Sequence, residues 1–100
     1  MRAVRYHPAA RAEFLHEVEY YAHISPVLAE HYDAAVHAAE YLAASNPEAW
    51  PKFGRHTRRV IDRRFNFSLV YLHDDEEVYV VAIAPTKRKP GYWKGRLGAA

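Results

Sequence analysis

Phe65-Asn66-Phe67-Ser68-Leu69-Val70-Tyr71-Leu72, then Asp74-Asp75, then Glu77-Val78-Tyr79-Val80-Val81-Ala82-Ile83-Ala84, is the stretch that decides the fold. Its first limb alternates. Phe65, Phe67, Leu69 and Tyr71 face one way, and Asn66, Ser68, Val70 and Leu72 face the other, the period-two pattern of a strand. The aspartate pair makes a turn, and residues 77–84 return as a second strand, so the stretch predicts a hairpin. Just upstream, Thr57 to Asp62, with Val60 and Ile61, reads as a further strand. Before it, residues 47–56 carry two prolines and Gly54 and read as a loop, with Trp50 and Phe53 as apolar plugs.

Outward from the hairpin, the first half of the chain is helical. Val4-Arg5-Tyr6-His7 alternates, so residues 2–7 read as a short strand that Pro8 ends. Pro8 also suits the first turn of a helix, where its missing N–H costs little. Ala10, Phe14, Val18 and Tyr21, flanked by Leu15 and Ala22, make one apolar stripe between Ala9 and His23. Glu13, Glu17, His16, Glu19 and Tyr20 take the remaining faces. Ser25-Pro26 is a cap followed by a first helical residue. The second helix runs to about Ser45 with Leu28, Tyr32, Ala35, Val36, Ala39 and Leu42 on its stripe, and Asn46-Pro47 stops it. Two helices joined by so short a turn form a helical hairpin. The order is β-α-α-β-β-β with a short basic C-terminal tail. The expected class is α+β, with the helical hairpin packed on one face of a small, mostly antiparallel sheet.

One hundred residues make one domain, residues 1–100, with a single core. Half of them are apolar, which argues against disorder. No apolar run reaches the ~18 residues of a membrane span, and Met1–Arg5 is not followed by the apolar segment of a secretory signal. There is no cysteine, which removes disulfides and thiolate chemistry. An intracellular, cytoplasmic protein is expected.

Charge divides the chain in two. Residues 1–50 carry three arginines against seven carboxylates, and residues 51–100 carry eleven Lys/Arg against five. The late cations fall in two clusters, residues 52–64 and 87–96, which suits a polyanion or an acidic protein as partner. The second cluster lies in Pro85-Thr86-Lys87-Arg88-Lys89-Pro90-Gly91-Tyr92-Trp93-Lys94-Gly95-Arg96. Cations interleaved with rings suit phosphate contacts and base stacking. The same rings suit a lid folded back on the core.

Glu13-Phe14-Leu15-His16 and the reversed His37-Ala38-Ala39-Glu40 have the Glu-x-x-His spacing of a di-iron helix. Such a site needs four helices, and two cannot supply it, so no metal and no cofactor is expected. His56 lies beside Arg55, Arg58 and Arg59, where like charge favours a neutral imidazole able to act as a base. His73 falls at the hairpin turn, where a solvated side chain is expected.

The helical hairpin, Arg64-Phe65-Asn66-Phe67-Ser68-Leu69-Val70-Tyr71, and Ala82-Ile83-Ala84…Arg88-Lys89-Pro90-Gly91-Tyr92-Trp93…Arg96 resemble the RelE/ParE family of bacterial type II toxins. The resemblance implies a small toxin silenced by a cognate antitoxin that wraps around it as a hetero-oligomer. It implies one of two actions. RelE-like members cleave messenger RNA on the ribosome without metal, and ParE-like members poison DNA gyrase and do no chemistry. A non-toxic module on the same scaffold, binding an acidic protein or nucleic acid, is the alternative. The fold by itself does not choose.

Laid on the ribonuclease pattern, Arg59 falls on a basic sheet position, Arg88 on the arginine after the last strand, and Tyr92 near the tail tyrosine. These three are the candidate catalytic residues. Arg55, Arg58, Arg63, Arg64, Lys87, Lys89, Lys94 and Arg96 are the candidate contacts to a nucleic acid, another target or the antitoxin. Asn66, Ser68 and Pro85 depart from the pattern. Ser68 stands where the ribonucleases have a central-strand arginine, and Arg63 or Arg64 would have to reach in to replace it. Trp93 reads as the lid and Pro90-Gly91 as the turn beneath it.

Overall fold

Ser25 joins the two long helices by capping both. In a computed structural model, which describes residues 1–97, its N–H donates to the Tyr21 carbonyl and its Oγ accepts from the Leu28 N–H at 3.5 Å. Helix α1 spans Pro8–Ile24 and α2 spans Pro26–Ser45. Each opens on proline, which fills a position whose N–H has no helical partner. His7 caps α1, its Nδ1 accepting from the Ala9 N–H at 3.0 Å. Strand β1 covers Ala3–Tyr6, β2 Arg58–Asp62, β3 Phe67–His73 and β4 Glu77–Pro85, and Lys94–Leu97 form a final turn, α3.

The four strands make one sheet in the order β1-β4-β3-β2. β2–β3 and β3–β4 are antiparallel, and β1 lies parallel to β4 with Ala3 opposite Glu77 and Tyr6 opposite Val80. The expected α+β layout holds. The alternation in β3 is as expected: Phe67, Leu69 and Tyr71 join the helix-side core with Phe14, Tyr32 and Val36, and Val70 joins a second cluster on the opposite face.

Two local expectations give way, and β4 carries an irregularity of its own. Phe65 is not in a strand, because Asn66 adopts φ 56° and turns the chain. Asparagine tolerates that left-handed conformation, and Asp62 Oδ2 fixes the turn by accepting from the Phe65 N–H at 2.7 Å. Leu42 is 41% exposed, and Ala43 and Ala44 are buried in its place. β4 does not alternate throughout. Val70 pairs with Ala82 but Tyr71 with Val80, leaving Val81 as a bulge. Val81 and Ala82 therefore both face the second cluster, and Ile83 returns to the helix side.

That second face is closed by loop and tail. Phe53 and Trp93 pack over Val70, Val81, Ala82 and Ala84, and Trp93 is only 2% exposed. The two loop rings part company. Phe53 serves the tail side, and Trp50 packs on the helix side with its Nε1 donating to the Leu42 carbonyl at 3.1 Å. Among the described residues no helix is long and apolar enough to cross a membrane.

Candidate functional site

Pro8 starts α1 early, so β1 covers β4 only as far as Val80. Beyond that point the outer edge of β4 needs other partners. Glu13 and Arg96 provide them. The Ile83 N–H donates to Glu13 Oε1 at 3.0 Å, and Arg96 Nη1 donates to the Val81 carbonyl at 2.9 Å. The two side chains also bind each other, with Arg96 Nη2 to Glu13 Oε2 at 2.9 Å and Nη1 to Oε1 at 3.1 Å, a two-pronged pair with both members about four-fifths buried. The Tyr92 hydroxyl donates to Glu13 Oε2 at 2.9 Å. Burial, reinforced by the Glu13 carboxylate, raises the Tyr92 pKa well above the ordinary value for a phenol. Glu13 thus latches the tail to α1 and to the sheet edge together.

On the tail-side face, Arg59 is registered opposite Val70. Its guanidinium lies 3.9 Å from the Phe53 ring centroid, and its Nη1 donates to Ser68 Oγ at 3.3 Å. Ser68 is buried. Arg59, Ser68 and Arg88 line one small cavity of about 100 Å³ floored by Trp93. The Arg88 guanidinium also lies 3.7 Å from the Tyr92 ring centroid. The structure therefore brings Arg59 and Arg88 to one place, with Tyr92 in contact with Arg88 and its hydroxyl directed to Glu13.

A family model described as the ParE toxin of type II toxin–antitoxin systems, parDE, matches residues 4–90. The chain belongs to that family. It is a type II toxin, and membership implies an antitoxin partner. No curated protein matches the chain. The ParE match runs from β1 through Pro90 and stops short of Tyr92, Trp93 and Arg96, so the far half of the latch lies outside it.

The remaining cations of this ParE-family toxin are dispersed. Arg58 neighbours Arg59 in sequence but is registered opposite Tyr71, on the helix side, where its Nη1 donates to the Trp50 carbonyl at 2.7 Å. Arg64 turns to α2, with Nη2 at 3.0 Å from His31 Nδ1, so it does not replace the arginine missing at Ser68. Arg63 is exposed at the turn before β3, and Lys89 is exposed in the tail. Lys87 lines a groove with His16, Glu17 and Tyr20. Arg55, His56 and Lys94 line a larger cavity between loop and tail. His73 is half-buried rather than solvated, and its Nδ1 has no partner. Among the described residues no three His, Asp or Glu are grouped to hold a metal ion.

Glu13 is the residue that sequence reasoning left on a solvent face. Its position held a signal. It follows Ala10 by three and precedes the buried Phe14 by one, which puts it on the border of the apolar stripe. A carboxylate there meets the sheet edge rather than water.

Proposed function

We propose that this toxin arrests growth by binding DNA gyrase in the cytoplasm and breaks no bond itself, and that its antitoxin neutralises it by covering the basic half. Ser68 carries the reading. Metal-free RNA cleavage needs a cation to neutralise the developing phosphorane charge. Beside Arg59 and Arg88 stands a buried hydroxyl already engaged by Arg59. Loss of one such cation, here at the Ser68 position, lowers a cleavage rate by roughly 10²–10³. The Tyr92 hydroxyl is similarly engaged, by Glu13. On this reading Arg59, Arg88 and the exposed Lys87 and Lys89 contact the target as a surface.

One observation favours a second reading, ribosome-dependent messenger RNA cleavage. Arg59 and Arg88 share a cavity, and two cations around one point suit a phosphate. Tyr92 would then serve as the proton carrier once freed from Glu13.

The test is what fails first after expression of the chain alone. Loss of plasmid supercoiling with DNA-damage signalling, and purified gyrase inhibited by the purified chain, is the expected result. Transcript ends mapping within translated codons, with supercoiling intact, would overturn it in favour of RNA cleavage. Harmless accumulation of folded protein would leave the scaffold as a non-toxic binding module.

A further inference from the structure

The larger cavity has a composition that the toxin's proposed action does not use. It has a volume of about 450 Å³ and lies between the 53–57 loop and the tail. Its apolar side is made by Phe53, Pro90, Trp93 and Leu97, and Arg55, His56 and Lys94 stand at its rim. No carboxylate is among the described residues that line it.

The walls are braced. The Phe53 N–H donates to the Thr57 carbonyl at 2.8 Å, and the buried Thr57 hydroxyl donates to the Phe53 carbonyl. Gly54 closes this loop at φ 96°, a conformation that favours glycine. On the other wall Gly91 has φ 91°, and a Cβ there would come within 3.0 Å of Lys94 Cε, so the lysine stem lies against the turn. A preformed cavity lowers the ordering cost of binding.

An apolar interior beneath a cationic rim fits a ligand that is apolar and anionic at once. Two polymers carry that chemistry, nucleic acid and acidic peptide, and ring accessibility separates them. A base needs a free aromatic face to stack on. The Phe53 ring already has the Arg59 guanidinium at 3.9 Å and the Trp93 ring at 5.3 Å. Trp93 also meets the Tyr92 ring, at 5.3 Å and 76°, and is 2% exposed. No platform is left for a base. A branched aliphatic side chain needs only a hollow.

The geometry points to a docking pocket for an acidic peptide: one aliphatic side chain enters between Phe53 and Leu97, and flanking carboxylates meet Arg55 and Lys94. This surface is separate from the Arg59–Arg88 cavity and stands whichever target the toxin has.

The probe is the pentapeptide acetyl-Asp-Glu-Leu-Asp-Glu-amide, titrated into isotope-labelled full-length chain and followed by amide shifts. Gly54, His56 and Trp93 should move. Affinity should exceed that for acetyl-Asn-Gln-Leu-Asn-Gln-amide and acetyl-Asp-Glu-Ser-Asp-Glu-amide by about tenfold each. Arg55 and Lys94 are both exposed, so Arg55→Ala with Lys94→Gln, which removes the lysine charge and keeps a stem against the turn, should leave Tm unchanged and weaken the leucine peptide by tenfold or more. Equal binding of either control, shifts confined to other residues, or no binding at millimolar peptide would overturn the proposal. Tighter binding of pentauridylate at the same amides would also overturn it and make the pocket a nucleic-acid site.

Discussion

The two faces of the sheet are closed by different means. On the helix side Phe14, Tyr32, Phe65 and Phe67 pack ring to ring at 5.5–6.0 Å over Leu69 and Val36. Apolar area does the holding there. On the tail side two rings, Phe53 and Trp93, lie on small residues, and the segment carrying Trp93 is tied by Glu13, Tyr92 and Arg96. A few directional bonds do the holding. The first arrangement fixes the fold. The second holds the basic tail in one shape through a few polar side chains, beside the cavity where Arg59 and Arg88 meet.

The largest expected difference between the faces appears at alkaline pH. Burial raises the pKa of Tyr6, Tyr32 and Tyr71 on the helix side, that of Tyr71 to about 12, and of Tyr92 on the tail side. A tyrosine whose folded pKa lies above its unfolded value near 10 contributes in full below about pH 10 and loses that contribution as pH climbs through the folded value. The urea midpoint should be flat from pH 7 to about 9.5 and fall steeply above about 10. Tyr92→Phe should remove only the small tail-side share of the fall.

Leu69→Ala, under the helices, should cost about 3–4 kcal/mol in urea unfolding, since a sheltered cavity remains. Trp93→Ala should cost less, about 2 kcal/mol, because the tail can lift away rather than enclose a void. Equal losses would erase the distinction between the faces. Glu13→Gln should cost about 1–2 kcal/mol, allowing for partial exposure, because it strands Arg96. Its signature is faster hydrogen exchange at the Ile83 amide, with exchange in β3 unchanged. Uniform loss of protection would show that the latch is part of the global core.

The same contrast explains what was legible in the sequence. The β3 alternation and the Ser25-Pro26 and Asn46-Pro47 signals are local, and they placed the hairpin and both helices. Trp93 was legible as a lid because an indole beside an apolar strand has few other uses. Glu13 was not, because its partner Arg96 lies 83 residues away and no local pattern links them. The Val81 bulge was hidden inside an apolar run that reads alike with or without a break. The 52–64 cluster was one patch in sequence, but strand alternation sends Arg58 and Arg59 to opposite faces. Register, which requires the folded sheet, divided them.

If the toxin acts by binding, the Tyr92 hydroxyl is a strut between tail and α1 and nothing more. Tyr92→Phe removes that one oxygen at a stability cost of about 1 kcal/mol. The direct measurement is growth arrest by the Tyr92→Phe chain at matched expression, with Tm confirming that it is folded. Arrest as strong as with the unaltered chain is the expected result. Loss of arrest in a folded variant that still binds its antitoxin would contradict it and make Tyr92 a participant in chemistry.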